Sequence, residues 1–185
     1  MDDTILLEYQ PTGASPTTAS QDRVAPGVAG SRRMAETDLS RVSALRARLQ
    51  AAARKSGIPS ALLAALASRE SRCGAALDAN GWGDRGNAFG ILQIDKRHHE
   101  IEGLPDPASQ AHIDQAAAIL ASNLLDIQAK HSPWPRARQL QGAVAAYNCG
   151  IGNVRTLDGM DRGTTGGDYS NDVWARARFY REKNV

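Results

Sequence analysis

Apolar positions in this chain recur at helical spacing through most of its length, with two interruptions. From Ala35 onward Val42, Leu45, Leu49 and Ala52 share a face, while Arg46, Arg48 and Arg54 lie largely off it, which predicts an amphipathic helix. Gly57 marks its end, and Pro59 suits the first turn of the next. In that second helix Glu70 falls in line with Leu63 and Leu66, and Gly74 is expected to close it. A longer helix is predicted over 110–130, with Ile113, Ala117, Leu120, Leu124 and Ile127 as its stripe and Ala116, Ala121 and Leu125 beside it. It is expected to be the central buried helix. Pro133 and Pro135 break it, and two further helices follow, over about 137–148 with Gly150 as cap and over about 171–181.

Residues 1–35 are rich in Pro, Gly, Ser, Thr and Ala without periodicity, and read as an irregular arm ahead of one domain over 36–185. The second interruption lies between Gly81 and Gly90, where glycines at 81, 83, 86 and 90 accompany Trp82 and Phe89. This predicts turns and a short hairpin, with Ile91-Leu92-Gln93-Ile94 as an adjoining strand. Residues 98–109, with Pro105 and Pro107, read as a loop. The expected fold class is α+β, mostly α, with one small sheet.

The 185 residues are 42% hydrophobic and 23% charged, ordinary for one soluble domain. A net charge of +2 lacks the basic footprint of a nucleic-acid binder. No apolar run approaches the roughly 18 residues of a membrane span. The N-terminus is acidic, with too short an apolar stretch for a secretory signal, so the chain is expected to be made without one or to begin after one. Cytoplasmic residence or release by a non-classical route follows from the first alternative, secretion from the second. Cys73 and Cys149 make neither a disulfide scaffold nor a zinc site, and Cys73 is expected as a small packed side chain. Asp78, Asn80 and Gly83 match three places of a calcium loop, but Trp82 and Phe89 stand where oxygen ligands are needed. Neither a metal nor another cofactor is expected.

Glu70 is the first candidate for chemistry. A carboxyl on an apolar face near a helix C-terminus resists ionisation, which suits a general acid, and the alternative is a solvent-facing glutamate paired with an arginine. Asp84 and Asp95 flank the glycine-rich hairpin, and three carboxyls around one feature suit glycoside cleavage. Equally, Asp84 fits a turn aspartate and Asp95 a cap or a partner of Lys96 or Arg97. His98 and His99 are candidate sugar contacts or plain loop histidines, and Tyr147 and Asn148 end a helix where a C-cap is also expected.

Taken in order, Ser68-Arg69-Glu70-Ser71, Gly81-Trp82-Gly83-Asp84-Arg85-Gly86-Asn87, Phe89 to Arg97, Ala146-Tyr147-Asn148-Cys149-Gly150, Gly163-Thr164-Thr165 and Asp168 to Val173 resemble goose-type lysozyme. The resemblance runs from about Pro11 to the C-terminus. It implies a lysozyme-like fold with a cleft between helices and a small sheet, and hydrolysis of the β-1,4 bond between N-acetylmuramic acid and N-acetylglucosamine, in antibacterial defence. The family's catalytic glutamate falls on Glu70, its assisting aspartates on Asp84 and Asp95, and its sugar-site positions on His99, Tyr147, Asn148 and Tyr169, with Gln93 a further contact. Inversion is the expected outcome, with peptidoglycan and N-acetylglucosamine oligosaccharides as partners, no nucleic acid or membrane, and a monomer. A lytic transglycosylase and a non-catalytic wall-binding protein are the alternatives. Bird members carry four arm cysteines in two disulfides; this arm has none.

Overall fold

A computed structural model describes residues 2–185. Its helices are α1 (Pro16–Gln21), α2 (Val28–Ser56), α3 (Ser60–Ser71), α4 (Gln110–Lys130), α5 (Arg136–Cys149) and α6 (Tyr169–Glu182), with β1 (Trp82–Gly83), β2 (Ala88–Phe89) and β3 (Ile94–Asp95) between α3 and α4. This is the expected mostly α, α+β architecture. Among the described residues, no helix is long and apolar enough to cross a membrane.

The centre of the molecule differs from expectation. Every residue of α3 from Ala61 to Ser68 is buried, and α5 and α6 are nearly as enclosed, whereas α4 exposes Leu125 to 67%. The alanines of α3 and α5 leave room for neighbours on all sides, so α3 packs against both α2 and α6. α4 is the more amphipathic element and closes the bundle from one side. The end of α3 also differs. Arg72 and Cys73, not Gly74, take the first left-handed positions, and the Cys73 N–H closes back on the Ala67 carbonyl at 2.8 Å. In this costly conformation the Arg72 side chain pairs with Asp22 at 2.8 Å and its carbonyl accepts from Arg41 Nε at 2.8 Å.

The arm is ordered, and α2 begins at Val28, earlier than its hydrophobic stripe indicated. Residues Asp3–Leu7 form a 3-10 turn that buries Ile5 and Leu6, and Trp174 donates its indole N–H to the Leu6 carbonyl at 3.1 Å. Tyr9 donates to Asn171 Oδ1 at 2.9 Å. Ser15 N–H and the Thr18 hydroxyl donate to the two oxygens of Asp168, at 2.5 and 3.0 Å. Polar contacts to the start of α6 therefore anchor an arm that has no cysteine. We expect Asp168→Ala to lower unfolding free energy by about 3 kcal/mol. In limited trypsin digestion of this variant, the bond after the exposed, left-handed Arg23 should be cut before any other.

Candidate active site

The sheet is an antiparallel meander in the order β1-β2-β3, with Gly83 opposite Ala88 and Ala88 opposite Asp95. That register brings Asp84, the residue after β1, to the same end of the sheet as Asp95, the last residue of β3. The strand expected over 91–94 is a tight turn instead, and only Ile94 of that run pairs. Gln93 sits in this turn at φ 48° and donates its side-chain N–H to the Gly90 carbonyl at 2.8 Å. A Cβ on Gly83 would come within 2.1 Å of Gln93 Oε1, so only glycine lets this side chain lie across β1.

Glu70 stands one residue before the end of α3, on the wall facing the sheet. The two sides enclose a cleft of about 1070 Å³ lined by Glu70, Asp84, Gln93, Asp95, His99 and Tyr147, with Asn148 at the end of α5. Burial pushes the Glu70 carboxyl up to about 7, against smaller opposing effects of the Tyr169 hydrogen bond and the Arg69 charge. Tyr169 donates its hydroxyl to Glu70 Oε1, leaving Oε2 as the oxygen free to carry a proton. Arg69 is turned away and spent on other partners: Asp172 at 2.7 Å, the Thr165 carbonyl at 3.0 Å and Asp168 at 3.2 Å.

Across the cleft the electrostatics reverse. The Arg97 side chain grips the Asp95 carboxylate and holds it down at about 2. Asp84 is exposed, with Arg97 Nη2 3.6 Å from its Oδ2. The site thus pairs a carboxyl that keeps its proton near neutrality with carboxylates on the facing wall, of which Asp95 stays ionised. That is the division of labour glycoside cleavage demands.

The Lysozyme g family matches residues 6–184. Lysozyme g of Gallus gallus is 44% identical over 172 residues, covering 92% of this chain and 80% of the relative. Lysozyme g of Casuarius casuarius is 43% identical over 179 residues, covering 96% and 95%, and that of Epinephelus coioides 43% over 187 residues, covering 95% of each. The chain belongs to the lysozyme g family.

The structure brings together Glu70, Asp84, Asp95, Gln93, His99, Tyr147 and Asn148, the expected site residues that line the cleft. Tyr169 is the exception. It is 2% exposed and sits behind Glu70 as its hydrogen-bond partner, not along the cleft. Asn148 has a second task, accepting the Thr165 N–H at 2.9 Å and so tying α5 to the segment before α6. Cys149 also lines the cleft, and Cys73 is a buried free thiol pushed up to about 12 by burial, as a packed cysteine would be. Asp78 accepts the N–H groups of Asn80 and Trp82, the work of a turn aspartate.

Sequence reasoning missed the bracing of the turn that carries Gln93. Tyr147 donates to the Leu92 carbonyl at 2.8 Å, while the Leu92 N–H donates to His112 Nε2 at 3.1 Å. The backbone of one residue is thereby clamped between α5 and α4. A Cβ on Gly90 would meet the His112 ring at 2.4 Å, so the ring fills the space this glycine leaves. Burial lowers His112 to about 4. Because this lies below the roughly 6.5 of an unfolded histidine, the unfolded chain protonates first. The stability contribution is full above pH 6.5, falls as pH drops toward 4, and levels off below. Denaturant melts at pH 6.5 and 4.5 should differ by about 2–3 kcal/mol less in His112→Gln than in the parent chain.

Proposed function

We propose that this chain is a peptidoglycan hydrolase that cleaves the β-1,4 bond between N-acetylmuramic acid and N-acetylglucosamine with inversion, and so acts as a bacteriolytic enzyme. The observation that carries this reading is the opposed ionisation of Glu70 and Asp95 across one open cleft. Glu70 donates its proton to the leaving glycosidic oxygen as the bond breaks. Asp95, with Asp84, holds a water on the opposite face of the sugar and directs it at the anomeric carbon. Gln93, His99, Tyr147 and Asn148 supply hydrogen-bonding groups along the cleft walls for neighbouring sugars. Tyr169 contributes indirectly, by holding one Glu70 oxygen.

The test is product analysis on purified peptidoglycan. Freshly released reducing ends should carry the α anomer from a β-linked substrate. A retained anomer overturns inversion, and an anhydro sugar overturns hydrolysis in favour of transglycosylation. Glu70→Gln should lower kcat by about 10²–10⁴-fold with an unchanged fold. Because the protonated form of Glu70 is the active one, kcat/KM should fall as pH rises through about 7, and this limb should be absent from the residual activity of the variant.

A further inference from the structure

Arg97 has no step in this mechanism, yet it is the side chain that joins both aspartates. Its backbone N–H donates to Asp95 Oδ1 at 2.8 Å. Its Nε lies 2.9 and 3.0 Å from the two Asp95 oxygens, and Nη2 donates to Oδ2 at 2.5 Å while lying 3.6 Å from Asp84 Oδ2. We propose that Arg97 is a positioning residue for glycoside cleavage, its guanidinium aligning the Asp84 and Asp95 carboxyl groups as one pair and setting the direction from which they meet the attacking water. This rests on the reading that the pair holds that water.

Folding stability does not account for the arrangement. Arg97 and Asp84 are each 57% exposed, and ion pairs so exposed add little. The register of the sheet supplies the need: it brings the Asp84 and Asp95 carboxyl groups to one end, and the Arg97 guanidinium is the group that reaches both. An ionised carboxylate offers about four acceptor directions. The backbone N–H and the fork of Arg97 occupy most of those on Asp95, which restricts where a water can bind. A lysine would supply the charge but not the planar fork. The other charged groups near Asp95 do not substitute. His98 adds a weaker positive field, Lys96 is drawn over the Trp82 ring at 5.1 Å, and Glu70 stands on the facing wall.

The test follows Asp95 by a carbon-13 carboxyl titration, which needs no activity, beside kcat and KM against pH on soluble peptidoglycan fragments. In Arg97→Gln the Asp95 midpoint should rise by at least one pH unit, and the acidic limb of kcat/KM should rise with it, while the limb near 7 stays in place. kcat should fall 10–100-fold with KM within threefold. Arg97→Lys should restore most of the midpoint and little of kcat. The positioning role is overturned if Arg97→Gln keeps kcat within twofold, or if the midpoint does not move. Full activity in Asp95→Asn, alongside an Asp95 midpoint that does move in Arg97→Gln, would instead overturn the water-holding reading, and the positioning role with it.

Discussion

A buried lattice of arginine and aspartate side chains behind Glu70 holds the rest of the molecule in register. Asp38 from α2, Ser68 and Arg69 from α3, and Asp172 and Arg176 from α6 meet where three helices cross. Arg176 donates to Asp172 at 3.0 Å and to the Ser68 hydroxyl at 2.9 Å, and Ser68 donates to Asp38 at 2.7 Å. Asp38 and Asp172 are fully enclosed, so each charge depends on its neighbours, and loss of any one leaves an uncompensated partner. The geometry is therefore all-or-none, which fixes the end of α3 that carries Glu70. The lattice also acts on chemistry. Arg69 adjoins Glu70 in sequence, but two aspartates neutralise it, so its field weakens the proton affinity of Glu70 less than burial raises it.

The facing wall has no such backing. Strands of two residues cannot be stable alone, and this sheet keeps its shape through what grips its turns. The clamp on the Leu92 backbone ties one turn to two helices, and the guanidinium of Arg97 ties the carboxylate-bearing end together. A rigid acid thus faces a lighter wall stabilised by a few specific hydrogen bonds.

Much of this was legible in the sequence. The bounds of α4 follow from its stripe and the following prolines, and Gly57 and Gly150 end their helices as their backbone freedom suggests. Glu70 was legible as a candidate because it fell among leucines, although α3 is buried on every side and the line itself discriminates little. The strand over 91–94 was misplaced because two-residue strands carry no alternation to read. The arm looked irregular because its order comes from Asp168 and Asn171, some 150 residues away along the chain. The ion lattice was invisible for the same reason, its members being scattered over α2, α3 and α6. The Tyr169 motif points to the sugars, and only packing reveals that the side chain stands behind Glu70.

The polar docking of the arm changes what the molecule responds to. Here the fastening is a set of hydrogen bonds to a carboxylate and an amide at the head of α6, and thiol reductants have nothing to break in it. Attachment becomes an equilibrium, sensitive to competing hydrogen bonders. Since Asp168 also grips Arg69, detaching the arm would disturb the residue beside Glu70, so the docking of the arm and the surroundings of that carboxyl are thermodynamically linked.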